Sequence, residues 1–199
     1  MPLTRKGAAT RQRIVEGAAS EMRRLGIFAL TLDDVMRRTA TSKSQLFHYF
    51  PGGKDELLPA VARHEASGVI SDQQPELASL NSWSAWRSWR DKIVERYREQ
   101  GPNCPLNVVM GQLGPTTEGA QAVVRELYAR WEGELAAGIR GMQSQGEIDA
   151  ALDAGRGARA LLAGIQGGVL IHLATGSLEY LKAALDQGIE FLRRPAARA

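Results

Sequence analysis

A chain of 199 residues is long enough to bury a substantial core. Its single cysteine, Cys104, excludes an intramolecular disulfide, and no Cys and His stand at metal-ligand spacing, so neither a metal nor a cofactor is expected. The net charge of +3 hides an asymmetry: residues 1–54 carry ten Lys or Arg against four Asp or Glu, a net +6 that leaves −3 for the rest, and a basic head on a mildly acidic body points to a polyanion, usually nucleic acid, as partner of the head.

Taken in chain order, nearly every segment has helical period and none alternates long enough for a strand. Ile14, Val15, Ala18, Ala19, Met22 and Leu25 fall on one face of a helix over residues 10–25, which Gly26 ends. Thr31 is placed to cap a second helix with Asp33 and Asp34 in its first turn and Arg37 and Arg38 near its end. After a break at Ala40-Thr41, Ser42 caps a third short helix, ended by Pro51-Gly52-Gly53. A fourth helix is expected over 54–69, and the polar stretch 71–81 reads as a loop with the composition of a mobile one. Further helices are expected over 82–100, 105–113, 118–145, 154–174 and 177–194, about nine in all, with a frayed tail at 193–199. The expected fold class is all-α, with a small three-helix domain at 1–53 and a larger helical domain at 54–199.

The apolar stretch from Leu161 to Ala174 is broken by Gly164, Gln166, Gly167, Gly168 and His172, so no membrane span is expected. With no secretory signal legible and one cysteine, a reducing cytoplasm is the expected location. Enzyme motifs fail on single residues. Gly53-Lys54 has His48 where a phosphate loop needs its first glycine, and His64-Glu65 lacks the second His of a zinc protease.

Two short helices across a tight turn, preceded by a supporting helix in the basic part of the chain, make a helix-turn-helix. A recognition helix needs an apolar face to dock and a polar N-terminal edge to enter the major groove. Leu46 and Phe50 supply the first, and Ser42, Lys43, Ser44 and Gln45 the second. Lys43 suits phosphate or guanine, and the Gln45 amide suits the edge of adenine.

In Thr10-Arg11-Gln12-Arg13-Ile14-Val15, Gly26 with Thr31-Leu32-Asp33-Asp34-Val35, Ser42-Lys43 with Leu46-Phe47-His48-Tyr49-Phe50, and Lys54-Asp55-Glu56-Leu57, the chain resembles the TetR family of repressors. The resemblance implies that Thr31 and residues 42–45 meet an operator in double-stranded DNA, with His48, Tyr49 and Lys54 on phosphates. Two positions depart from the family pattern. Ala40 stands where glycine is usual in the turn, tolerable at negative φ and strained at positive φ. Phe47 stands where tyrosine is usual, keeping only an apolar contact to a thymine methyl.

In the body, Cys104-Pro105 before a short helix, the run Leu161 to Leu170 and the final amphipathic helix also resemble TetR repressors, which implies a homodimer through the last two helices. Leu178, Leu181, Leu185 and Leu192 follow 3-4 spacing, and Leu161, Gly164 and Gly168 lie on the partner helix, although the same stripe also fits the internal core of a monomer. Trp83, Trp86, Tyr97, Trp131 and His172 are each explained by core packing, yet as a set they suggest an apolar cavity for a small hydrophobic, ring-containing effector. The expected function is thus a ligand-released repressor and not an enzyme. A helical-bundle enzyme and an architectural DNA-binding protein without an effector are the alternatives.

Overall fold

The computed structural model describes residues 3–100 and 118–193. The helix expected over 105–113, together with Cys104 and Pro105, lies outside them, as does the tail beyond Arg193. Among the described residues there are eight α-helices and no strand: α1 (Arg5–Leu25), α2 (Leu32–Thr39), α3 (Lys43–Tyr49), α4 (Lys54–Ser71), α5 (Trp83–Gln100), α6 (Glu118–Ser144), α7 (Ala154–Thr175) and α8 (Glu179–Arg193), with a 3-10 turn at Leu77–Ser79. They fall into two compact units, residues 3–69 with 118–127 and residues 70–100 with 128–193. The helix-turn-helix of residues 1–53 therefore shares its unit with most of α4, and α4 and α6 each contribute to both units.

In the first unit, α1 starts a turn earlier than its apolar period suggests, because Thr4 caps it by accepting the Gly7 N–H at 3.1 Å. Its buried face, Ile14, Val15, Ala18, Ala19 and Met22, shares the core with Val35, Leu46, Phe50, Leu57 and Val61. Each large aliphatic buried here contributes about 1.5–3 kcal/mol. The α1–α2 packing depends on Gly17, where a Cβ would lie 2.1 Å from Thr39 Cγ2. Charge ties α4 to α1: the buried Glu65 accepts from Arg23.

In the second unit, the polar stretch 71–81 is an anchored segment and not a mobile loop. Leu77 and Leu80 are buried, the Trp89 indole N–H donates to Gln73 Oε1 at 3.0 Å, Lys92 donates to the Gln74 carbonyl, and Arg96 pairs with Asp72. Among the described helices, α7 and α8 pack against each other most extensively. It explains Gly168, whose Cβ, if present, would lie 2.5 Å from Leu181 Cα and 2.9 Å from Leu181 N, so the helix backbones touch there. By length and composition α7 would reach across a membrane, contrary to the reading of its glycines as interruptions, but nearly half of its apolar window is buried inside the chain.

Candidate nucleic-acid interface

The α2–turn–α3 element is built from its caps outward. Thr31 and Asp34 form a reciprocal capping box: the Asp34 N–H donates to Thr31 Oγ1 at 3.1 Å, while the Thr31 hydroxyl and N–H donate to Asp34 Oδ2 at 2.6 and 3.1 Å. These bonds, first the hydroxyl and then the backbone, with Arg37 adding to them, hold the Asp34 carboxyl below its ordinary value. The Thr31 hydroxyl proton is thus committed within the chain, and this exposed residue keeps its methyl group and one oxygen lone pair for outward contacts. Ser42 caps α3 differently. Its oxygen accepts the Gln45 N–H at 3.2 Å, leaving the hydroxyl proton free to donate outward.

Between the two helices Ala40 adopts φ 48° and ψ 44°, the left-handed region in which an alanine is strained. Its N–H and that of Thr41 both reach the Met36 carbonyl, closing α2 before the chain turns into α3. Thr41 is buried and hydrogen-bonded to Thr39, so the turn is held from inside.

Leu46 and Phe50 are fully buried and moor α3, which leaves Ser42, Lys43, Ser44 and His48 exposed and Gln45 half-buried. Phe47 is 37% exposed. The rest of its ring lies beside Gly53 and Leu32: a Cβ on Gly53, where φ is +61°, would come within 3.5 Å of both. His48 and Tyr49 meet edge to face at 4.8 Å, and the Tyr49 hydroxyl leans toward the start of α1 near Gly7. Lys54 Nζ donates to the Ile27 carbonyl at 3.3 Å, so this half-buried ammonium ties α4 to the turn after α1. The sequence did not single out Phe28, which is 98% exposed in that same turn between the buried Ile27 and Leu30. An aromatic just before the Thr31 cap, beyond the last periodic position of α1, was its only signal.

The residues expected to contact an effector all lie in the second unit. Trp86, Tyr97, Trp131 and His172 are buried. Trp83 is not: its N–H donates to Glu147 at 2.9 Å and the Arg193 guanidinium lies 4.9 Å over its ring, so both its polar group and a ring face are occupied at the surface. Four buried nitrogens have no hydrogen-bond partner among the described residues, namely Trp86 Nε1, Trp131 Nε1, Gln166 Nε2 and His172 Nδ1.

Of the residues expected at a dimer interface, Leu161, Leu181, Leu185 and Leu192 are buried inside the single chain, and Gly164 and Gly168 pack against Ala184 and Leu181. Leu161, Leu181, Leu185 and Leu192 are therefore taken up by the α7–α8 core of the single chain. Leu178, just before α8, is half-buried. The apolar groups these two helices leave outside are Leu170, Tyr180 and Phe191, at 68, 55 and 52% exposure.

Residues 14–61 match the sequence profile of bacterial regulatory proteins of the tetR family. An uncharacterised HTH-type transcriptional regulator from Mycobacterium tuberculosis is 26% identical over 110 residues, a match covering 52% of this chain and 53% of that protein, so the chain spans about half its length. A second regulator of that description, from Lactococcus lactis, is 22% identical over 190 residues and is covered to 90%, with 89% of this chain. In fold, the chain is similar to the crystal structure of a TetR transcriptional regulator from Chloroflexus aurantiacus, with a TM-score of 0.78 at 22% identity over 94% of this chain and 96% of that one.

Proposed function

We propose that this chain is a transcriptional regulator of the TetR type that binds a pseudo-palindromic operator as a homodimer, represses transcription there, and leaves when a small hydrophobic effector occupies the second unit; the match of residues 14–61 to the tetR-family profile supports this reading. The observation that carries the DNA-binding part is the edge of α3. Ser42 with a free hydroxyl proton, Lys43 and Ser44 stand exposed on a helix moored by two fully buried side chains, Leu46 and Phe50. Among the described residues Lys43 has no acidic partner, so its charge is available to a phosphate or to guanine, and Gln45 follows it within one turn. Phe47 offers the exposed part of its ring to a thymine methyl, and His48 stands exposed for the backbone. Tyr49 and Lys54 hold the frame, with reach to phosphates as a secondary role, and Thr31 acts first as a cap.

For the dimer, the outward groups Leu170, Tyr180 and Phe191 on α7 and α8 are the apolar surface a second copy would cover. For the effector, the buried indole N–H groups of Trp86 and Trp131 and the Gln166 amide are donors lacking acceptors among the described residues. Each buried N–H left unmet costs about 1–3 kcal/mol. A ring-containing molecule bearing carbonyl or ether oxygens would relieve that cost, which favours acceptor-bearing aromatics over plain hydrocarbons. Release follows if the effector prefers a conformation in which the two heads are wrongly spaced, and α4, which contributes to both units, is the covalent path for that change.

The test begins by selecting binding sites from random duplexes with the full chain. Inverted half-sites spaced by about one helical turn or a multiple of it are expected. Titration of the selected site should show that Gln45→Ala relaxes preference at one base position by roughly 1–3 kcal/mol, whereas Lys43→Ala, if the ammonium meets phosphate, weakens all duplexes alike and lowers the salt slope by about one. Unchanged affinity in both variants removes α3 from the interface. Asymmetric selected sites remove the dimer.

A further inference from the structure

The first unit carries a second basic feature that the helix-turn-helix does not use. Between α1 and α4 runs an open groove of about 350 Å³. Its polar walls are Arg11 and Gln12 from α1 and Arg63, His64 and Ser67 from α4. Val15 and Ala60, both buried, make its apolar floor. No carboxylate lines it. The acids nearest in sequence are already partnered: Glu16 accepts from the wall residue Gln12 at 2.9 Å, at the edge of the groove, and Glu65 is paired with Arg23.

Its cations are set in place without being neutralised. The Arg11 guanidinium carbon lies 4.9 Å from the centre of the Phe50 ring, a cation–π contact that holds the side chain without neutralising its charge. Neither Arg11 nor Arg63 has an acidic partner among the described residues. Gln12 Nε2 also lies 3.4 Å from His64 Nδ1. An amide that donates to this nitrogen leaves the imidazole proton on Nε2, which makes His64 a further donor. Two guanidinium forks, an imidazole and a hydroxyl around one opening, with no acceptor-only group among them, match the needs of a tetrahedral oxyanion.

We propose that this groove binds a phosphate group, and that the phosphate belongs to a free small molecule. Phosphate chemistry is shared by two sources, a solute and the DNA backbone. The position on α4 favours the solute: the groove residues begin at Ala60 and end at Ser67, six to thirteen residues beyond Lys54, or about 9–20 Å along the helix at 1.5 Å per residue. A phosphate held from both walls bridges α1 and α4 where their polar groups meet in the long Gln12–His64 contact. Occupancy then stiffens α4 against α1, and this second input acts on the helix-turn-helix unit itself, independently of any effector in the second unit.

The experiment titrates the full-length protein with pyrophosphate at constant ionic strength, following the His64 ring and the arginine Nε–H signals by NMR. Saturable shifts of His64, Arg11 and Arg63 are expected. Arg11→Gln and Arg63→Gln should each weaken binding by about tenfold or more, while Arg13→Gln, an exposed arginine of α1 outside the groove, leaves it within about twofold. Arg11→Lys keeps the charge but loses the planar fork and should fall between. The second arm repeats the titration with the protein saturated by duplex. Unchanged pyrophosphate affinity, and an unchanged salt slope of duplex binding in Arg63→Gln, support the solute. Competition between duplex and pyrophosphate, with the slope falling by about one, would assign the groove to the DNA backbone and overturn the solute reading. Shifts that never saturate, or that are the same in all four variants, overturn the site altogether.

Discussion

Ala40 carries the clearest energetic prediction in the molecule. At φ 48° and ψ 44° its Cβ crowds the following carbonyl oxygen, which costs an L-residue about 1–2 kcal/mol. Ala40→Gly removes that cost but returns about 0.4–1 kcal/mol to the freer unfolded chain. The side chain is exposed, so little burial is lost. The balance is a gain of about 0.5–1 kcal/mol, confined to the segment that joins α2 to α3. All four tryptophans lie in the second unit, so their fluorescence reports unfolding of the wrong part. Amide hydrogen exchange is the suitable assay, read at Thr41, which donates to Met36 O at 3.0 Å, and at Phe50, which donates to Leu46 O at 2.9 Å. Both should exchange about two- to fivefold more slowly in the glycine variant, the factor that the free-energy gain implies. Ala40→Val should speed both, because a β-branched residue tolerates positive φ least. Equal or faster exchange in Ala40→Gly would refute the argument, since it would mean the turn carries no left-handed strain to release.

Gly168→Ala should destabilise the chain by about 1–3 kcal/mol, because the new Cβ meets the Leu181 backbone and not a movable side-chain end; Gly133→Ala, facing open space on α6, should instead gain about 0.5–1 kcal/mol, and thermal melts of both variants check the contrast. Leu181→Arg should unfold the α7–α8 pair, whereas Phe191→Arg should leave helicity intact and move the sedimentation coefficient to that of a monomer; a folded monomer from Leu181→Arg would return the interface to the leucine stripe. Asp34 has a folded pKa depressed below the unfolded value near 3.9, so its capping contribution is complete above that value and is lost as pH falls through the lower folded one. Protection of the α2 amides should follow this course in the native chain, and Asp34→Asn should abolish that part of the acid response.

How much of this was legible in the sequence depends on whether a residue's role is local. Thr31 with Asp34, Ser42 with Gln45, and the stops at Gly26 and Gly53 are settled within a few residues of chain, and both cap identity and helix register follow from that spacing. Ala40 shows the same principle from the other side. The tight turn was legible from its position, while the sign of φ was not, because that sign depends on how α3 is moored by Leu46 and Phe50. The leucines of α8 mark where locality ends. A 3-4 stripe says that a helix buries one face and is silent about which surface covers it. Here that surface is α7 of the same chain, brought to backbone contact at Gly168, so the outward Leu170, Tyr180 and Phe191, which keep no tidy period, became the groups left for a second copy. The phosphate groove was hidden for the same reason. Arg11 and Arg63 stand 52 positions apart, and only the packing of α1 on α4, held by Arg23 and Glu65, turns two ordinary surface arginines into opposite walls of one opening.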